Sequence, residues 1–173
     1  MTAPMEFPDA HGSLRTIVEI AAPPDAVFTA LSDERELAAW LGGDAASPAE
    51  RQPSFYAPAV AIPGQPWRVG ALAPDGSRGT IEGEFLLVDR PHRLESTWRA
   101  SWDGFAPDRV CFELTPIPVP GGAGTRLTVT HTRAGARLRV TAMASRSSAS
   151  EWPAILARLG AWVSPRTLFG VAR

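Results

Sequence analysis

The sequence lacks several features that would assign it to a familiar class. It contains no lysine, so arginine supplies all 17 basic residues, which we interpret as a coding bias. A single cysteine, Cys111, excludes an intramolecular disulfide and is typical of a reducing compartment. No apolar run approaches the roughly 20 residues of a bilayer-spanning helix, and the first residues do not resemble a secretory signal. We therefore expect a cytoplasmic protein without a membrane span.

The short motifs of common catalytic and cofactor sites are also missing. The sequence has no G-x-S-x-G, no H-E-x-x-H, no paired cysteines, no phosphate-binding loop and no dinucleotide fingerprint. Its histidines, His11, His92 and His131, are too scattered to suggest a metal site. We therefore assign no catalytic residue, metal or cofactor and expect no nucleic-acid partner. The sequence leaves open whether the protein is an enzyme, although a non-enzymatic role is favoured.

The strongest pattern in the chain is an amphipathic helix near its end, predicted over Ser150 to Val163. Ser150 suits the N-cap, and Glu151 falls in the first turn. Steps of three and four place six large apolar residues on one side of this helix. They are Trp152, Ile155, Leu156, Leu159, Trp162 and Val163. Such a face requires a broad apolar partner, which the preceding strand-like segments can supply.

The first third of the chain predicts a strand followed by two short helices. Residues 1–12 are expected to form a flexible tail, and residues 13–173 a single domain. Arg15 to Ile20 is rich in β-branched residues and predicts the first strand. The next helix presents Val27, Phe28 and Leu31 on its apolar side. Ser32 or Asp33 can cap the second, which turns Leu37, Trp40 and Leu41 inward.

Residues 42–66 form the least regular segment, with five prolines that exclude a helix or a central strand. Phe55 and Tyr56 are unusually apolar for a surface loop. Three interpretations remain open: a cover across a cavity mouth, plain structural packing, and either disorder or a contact with a partner.

From Trp67 onwards the apolar residues alternate with polar ones, which predicts antiparallel strands with one buried face. Short turns such as A-P-D-G-S separate the strands. The inward residues of the successive strands are predicted to be Trp67, Val69, Ala71; Ile81, Gly83, Phe85, Leu87; Leu94, Ser96, Trp98, Ala100, Trp102; Val110, Phe112, Leu114; and Leu127, Val129, His131. The state of residues 133–149 is left open.

These elements predict an α+β domain in which a curved antiparallel sheet wraps around the long C-terminal helix, with two short helices after the first strand. Five motifs in this order resemble the activator of heat-shock-protein ATPase homologue family, of the START-like or SRPBCC helix-grip superfamily. They span Pro24 to Trp40, Asp75 to Ile81, Pro91 to Trp98, Gly124 to His131 and Trp152 to Leu159. The chaperone activity in the family name goes with a second, preceding domain and is not expected here.

The resemblance implies a cavity between the sheet and the C-terminal helix that binds a small hydrophobic molecule. The protein would then be a carrier, sensor or sequestering protein. An alternative is a polyketide cyclase or aromatase-like enzyme with His131 as a general base, and a third is an interaction module. An exposed sheet edge would allow a homodimer. Candidate ligand-binding residues are Trp40, Phe55, Tyr56, Trp67, Phe85, Ser96, Trp98, Phe112, Val129, His131, Trp152, Ile155, Leu156 and Leu159.

Two candidate residues have a structural interpretation beside the functional one. His131 shares its strand face with Leu127 and Val129, which is compatible with either a hydrogen-bonded core histidine or a polar anchor in the cavity. The tryptophans could likewise line a pocket or simply fill the core. Cys111 is expected to be inert packing on the outer face.

Overall fold

The described strands form one antiparallel sheet. The computed structural model describes residues 5–8, 13–42, 61–73, 75–103, 106–134 and 151–167. The strands are β1 (Met5–Pro8), β2 (Ser13–Ile20), β3 (Pro66–Leu72), β4 (Arg78–Asp89), β5 (Arg93–Ala100), β6 (Asp108–Val119) and β7 (Gly122–Thr132). Within these residues they form seven strands in the order β1-β2-β7-β6-β5-β4-β3. The predicted meander is present, and β7 returns to pair with β2 near the start of the chain.

Three helices lie against this sheet. They are α1 (Pro24–Ser32), α2 (Glu34–Leu41) and α3 (Trp152–Thr167). α3 packs against β2 and against both short helices, while α1 also contacts β5, β6 and β7. The short helices therefore lie between the sheet and one side of α3. This arrangement confirms the predicted helix-grip fold.

The apolar side of α3 is buried as its periodicity predicts. Trp152, Ile155, Leu156, Leu159 and Val163 each expose 3% of their surface or less. Burial of such a side chain contributes about 1.5–3 kcal/mol before the entropy cost. Trp162 differs because its ring is partly exposed and its indole N–H donates to Glu36 Oε2 at 2.6 Å. It therefore connects α3 to α2 at the rim of the core.

The two short helices are separated by a capping residue. Asp33 ends α1 and caps α2, where its Oδ1 accepts from the backbone N–H groups of Arg35 and Glu36 at 2.9 and 3.1 Å. Ser32, the other predicted cap, instead donates its hydroxyl to the carbonyl of Phe28. The two bonds to Asp33 satisfy N–H groups of the first turn of α2, which have no partner within the helix.

The predicted tail contains a strand. Met5–Pro8 pairs with Leu14 to Ile17 of β2, so the expectation of a flexible tail across residues 1–12 is wrong at these positions. The free edge of β2 offers backbone donors and acceptors to any neighbouring extended segment. Four residues that include a proline carry too little pattern to predict such a pairing from sequence.

The predicted inward position of Leu87 is also wrong. The pairing of β4 with β5 shifts between Phe85, which faces Ser96, and Leu87, which faces Glu95. The extra residue of this β-bulge reverses the alternation of side chains. Leu87 is consequently 36% exposed, and Val88 packs against the core in its place.

Candidate functional site

A line of aromatic rings runs through the core from β3 to α3. The ring centroids of Trp67 and Trp98 lie 5.3 Å apart, and those of Trp98 and Trp152 lie 5.2 Å apart. Phe85 stands beside Trp67 at 6.2 Å, and Phe112 contacts Trp152 edge-on at 5.7 Å. Tilted and edge-on contacts at these distances are the favoured geometries of aromatic pairs. The rings therefore form one packed row between the sheet and the helices.

His131 ends this row and is held on both sides of its ring. The indole N–H of Trp152 donates to Nδ1 at 2.9 Å, and Nε2 lies 2.8 Å from Asp108 Oδ2. Because an indole nitrogen can only donate, Nδ1 must accept, which places the ring proton on Nε2 and directs it at the carboxylate. The other oxygen of Asp108 accepts from the backbone of Ala134 at 2.9 Å. The histidine is thus a neutral structural link between β6, β7 and α3.

A small cavity lies between the short helices and strands β3 to β6. The resemblance implied a cavity between the sheet and the C-terminal helix, but none of the residues that line this one belongs to α3. Its volume is about 10 Å³, close to the room that one water molecule needs. Eight of the nine residues that line it have apolar or aromatic side chains, and the ninth is Ser96. The lining residues are Leu31, Leu37, Trp40, Trp67, Phe85, Leu94, Ser96, Trp98 and Phe112. None of these nine side chains is an acid, a base or a histidine.

A second, wider space of about 560 Å³ opens to solvent along β3, β4 and β5. Its charged lining residues are Arg68, Glu82, Glu84 and Arg99. A hydrogen bond from Arg99 lowers the pKa of the Glu82 carboxyl below its usual range. Since two arginines balance two glutamates there, this groove offers no net charge to a ligand.

The outer face of the sheet carries a buried carboxylate. Glu95 exposes 3% of its surface and is bound by Arg93 and Arg109. Burial alone would raise its pKa, but hydrogen bonds from Arg109 and Arg93 outweigh that effect and lower the pKa. Cys111 faces Glu95 across the strands, and burial raises the pKa of its thiol. A protonated, partly buried thiol fits the predicted inert role.

The family model for activator of Hsp90 ATPase homolog 1-like protein (AHSA1) matches residues 21–164. The chain belongs to the AHSA1 family. The family match covers every described element from α1 to most of α3, including the cavity and the row of rings. No protein of curated function matches the sequence.

Solved structures share the fold of this AHSA1 family member. A protein from Mycobacterium smegmatis is 18% identical, with a TM-score of 0.64 over 99% of this chain and 98% of the other. A Rhodobacter sphaeroides protein is 22% identical, with a TM-score of 0.61 over 95% and 97%. The AHSA1 protein of Silicibacter pomeroyi is 24% identical, with a TM-score of 0.60 over 89% and 99%.

The structure divides the predicted site residues of this AHSA1 family member into three groups. Six border the cavity: Trp40, Trp67, Phe85, Ser96, Trp98 and Phe112. Six lie in the core between the sheet and α3 and are not among its lining residues: Val129, His131, Trp152, Ile155, Leu156 and Leu159. Phe55 and Tyr56 lie outside the described residues, as does most of the segment predicted to cover the cavity. A ligand contact for any of them stays a prediction.

Three lining residues, Leu31, Leu37 and Leu94, were not among the predicted site residues. Their periodicity does place them on inward faces, so the sequence carries the signal that they are buried. It carries no signal that they meet at one point, because α1, α2 and β5 come together only in the folded chain.

Neither a metal centre nor a membrane span is found in the described part of the chain. No group of three or more histidine, cysteine, aspartate or glutamate side chains there could hold a metal ion. None of the helices described is long and apolar enough to cross a bilayer.

Proposed function

We propose that this protein binds a small hydrophobic molecule between the sheet and the short helices, as a carrier, sensor or sequestering protein. The observation that carries the proposal is the apolar cavity, whose walls come from both short helices and from strands β3 to β6. Concave apolar sites with a few polar groups are typical of small-molecule binding. Membership of a family that commonly binds hydrophobic ligands supports the same function.

The cavity has to widen when a ligand enters. A volume of about 10 Å³ holds no organic molecule, so the guest must shift the population towards a more open state. α2 is a short helix of eight residues and supplies Leu37 and Trp40 to the wall. α2 packs on β3, and its movement away from the sheet would enlarge the cavity without unpairing a strand.

The enzyme alternative finds no support in the described wall. General acid or base catalysis requires a titratable group within hydrogen-bond reach of the substrate. The nine lining residues include none, and His131 is already bonded to Trp152 and Asp108. These contacts support the proposal of a binding protein.

The proposal can be tested with native mass spectrometry and tryptophan fluorescence across a panel of lipophilic compounds. Leu37→Phe adds bulk at the cavity wall, and Arg35→Phe places the same ring on the exposed side of the same helix. We expect binding to the native protein and to Arg35→Phe, and binding at least about tenfold weaker in Leu37→Phe, equal to about 1.4 kcal/mol. Circular dichroism confirms that both variants fold. Absence of binding to the native protein, or equal binding by both variants, would reject the cavity as the site.

A further inference from the structure

The six tryptophans of the chain differ in what their indole N–H groups contact. Three donate within the protein: Trp40 to the carbonyl of Ala30 at 2.7 Å, Trp152 to His131 and Trp162 to Glu36. The other three, Trp67, Trp98 and Trp102, have buried nitrogens without a hydrogen-bond partner in the structure described. A native fold rarely leaves such donors unpaired, and each one costs free energy while it stays so.

Two of these three unpaired donors belong to the same cavity. Trp67 and Trp98 expose 5% and 3% of their surface, both line the cavity, and their rings are adjacent. Trp102 does not belong to its lining residues. Because both residues line this cavity and both lack a partner for the N–H group, an acceptor that enters the cavity is the candidate partner for the two donors. The hydroxyl of Ser96 lies on the same wall and can also donate.

The lining also limits the charge of that acceptor. None of the nine lining residues carries a positive charge, so a carboxylate or phosphate would be buried without a counter-ion, at a large cost. A neutral carbonyl oxygen has two lone pairs and can accept from two donors at once. The remaining wall of leucine and aromatic side chains suits a hydrocarbon body.

We infer that the ligand is a neutral lipophilic carbonyl compound, such as a ketone, quinone or lactone, whose oxygen accepts hydrogen bonds from the indole N–H groups of Trp67 and Trp98. This inference rests on the proposed function, because it names the chemical class of the ligand in the same cavity. It differs from that function in assigning selectivity to two polar atoms rather than to the apolar wall. The competing explanation is that a single water molecule, and no organic ligand, occupies the cavity.

The test compares cyclohexanone with methylenecyclohexane, in which a methylene group replaces the carbonyl oxygen and the shape stays nearly the same. Neither compound is aromatic, so neither adds ring-current shifts. Two-dimensional proton–nitrogen NMR spectra resolve the six indole N–H signals, which Trp→Phe variants assign. We expect cyclohexanone to shift the signals of Trp67 and Trp98 downfield and to bind about tenfold more tightly than the hydrocarbon, equal to about 1.4 kcal/mol.

Matched variants identify the source of that preference. Trp67→Phe and Trp98→Phe keep a ring but remove the donor, and each should reduce the preference for the ketone. Trp102→Phe removes an unpaired donor that does not line the cavity and should leave the preference unchanged. The remaining indole signal in each single variant reports whether the fold and the second hydrogen bond persist.

The outcomes separate this inference from the proposed function. Equal binding of ketone and hydrocarbon, or ketone binding without a shift of the two indole signals, overturns the carbonyl inference and leaves hydrophobic binding intact. If neither compound binds while the wider lipophilic panel does, the carbonyl inference is overturned for small ketones and the cavity proposal stands. Failure of both compounds and of the whole panel overturns both.

Discussion

The indole N–H of Trp152, at the first residue of α3, donates to Nδ1 of His131 near the end of β7 at 2.9 Å. The Nε2–H group of the histidine in turn donates a hydrogen bond to Asp108 on β6. Trp152 and His131 are 21 positions apart in the chain, so the bond between them fixes where α3 begins on the sheet. The same indole ring packs against Trp98 and Phe112, and these two residues border the cavity.

Truncation of Trp152 should destabilise the fold strongly. Its side chain is fully buried, so Trp152→Ala is expected to lower the free energy of unfolding by about 3–5 kcal/mol. Trp162→Ala, on the same helix but partly exposed, is the control and should cost clearly less. Urea denaturation followed by circular dichroism measures both. A small decrease in the free energy of unfolding of Trp152→Ala would mean that this ring borders an open cavity.

Replacement of His131 should cost stability through the groups that it leaves unpaired. His131→Leu places an apolar side chain at this buried position and leaves the Trp152 N–H without an acceptor. We therefore expect the free energy of unfolding to fall by about 1–3 kcal/mol. His131→Asn can keep an acceptor near the Nδ1 position and should lose less. His92 lies exposed in a turn, and His92→Leu should change stability by less than about 0.5 kcal/mol. Equal effects of the leucine and asparagine variants would argue against the hydrogen bond.

Gly83 should not tolerate a side chain. It faces Trp67 across strands β3 and β4, and a Cβ atom there would lie 1.9 Å from the carbonyl oxygen of Thr97 and 2.9 Å from the Trp67 ring. Gly83→Ala must therefore displace backbone, at a cost of about 1–3 kcal/mol. Glu84→Ala, at an exposed position on the same strand, is the matched control for chemical denaturation. A Gly83→Ala protein as stable as its control would contradict this packing.

Glu95 should make stability fall in acid. Because Arg109 and Arg93 overcome the effect of burial and lower its pKa from the ordinary value of 4.5, the carboxylate stabilises the fold fully above that pH. The contribution is lost as the pH falls below 4.5 through the lowered pKa of the folded state. Glu95→Gln should reduce the loss of stability that the native protein shows below pH 4.5. Glu113 is exposed on neighbouring β6, so Glu113→Gln should lose stability in acid as the native protein does. If the two variants gave the same dependence of stability on pH, the role of Glu95 would be contradicted.

Cys111 should react slowly while the protein is folded. Burial is the main cause that raises the pKa of its thiol above 9.0, and Arg93 counteracts it in part. Since the thiolate is the reactive form, modification by a disulfide reagent at neutral pH should be slower in the native protein than in urea. The change in absorbance on release of the thiol leaving group measures both rates. A faster native rate would indicate an activated cysteine instead.

Periodicity predicted most of the secondary structure because burial repeats along each element. The inward residues of α3 and of strands β3, β5, β6 and β7 could be assigned from spacing alone, with two exceptions. Trp162 lies at the rim of the core, and Trp102 lies in the turn after β5 and is only partly buried. The assignment failed at Leu87, since a single inserted residue in β4 reverses the alternation and leaves no mark in the composition. It failed again at Met5–Pro8, where the free edge of β2 rather than local sequence determines the strand.

The sequence predicted which residues of the candidate site face inward, but not where in the core they come together. Trp67, Trp98 and Trp152 are all predicted to face inward, yet the indole N–H of Trp152 is paired with His131 while those of the other two have no partner in the described residues. Hydrogen-bond partners depend on side-chain orientation and on distances between elements far apart in the chain. Spacing alone contains neither.

By itself, the sequence determined the order of the elements and the buried face of α3, since hydrophobic spacing and turn residues act locally. Five ordered motifs also indicated the family to which the chain belongs. Tertiary structure alone decided that His131 is hydrogen-bonded to Trp152 and Asp108, that Glu95 is buried between two arginines, and that the cavity lies under α2. Each of these results depends on which residues meet across strands and helices. Packing between elements that are far apart in the chain decides those contacts, and it outweighs local preference.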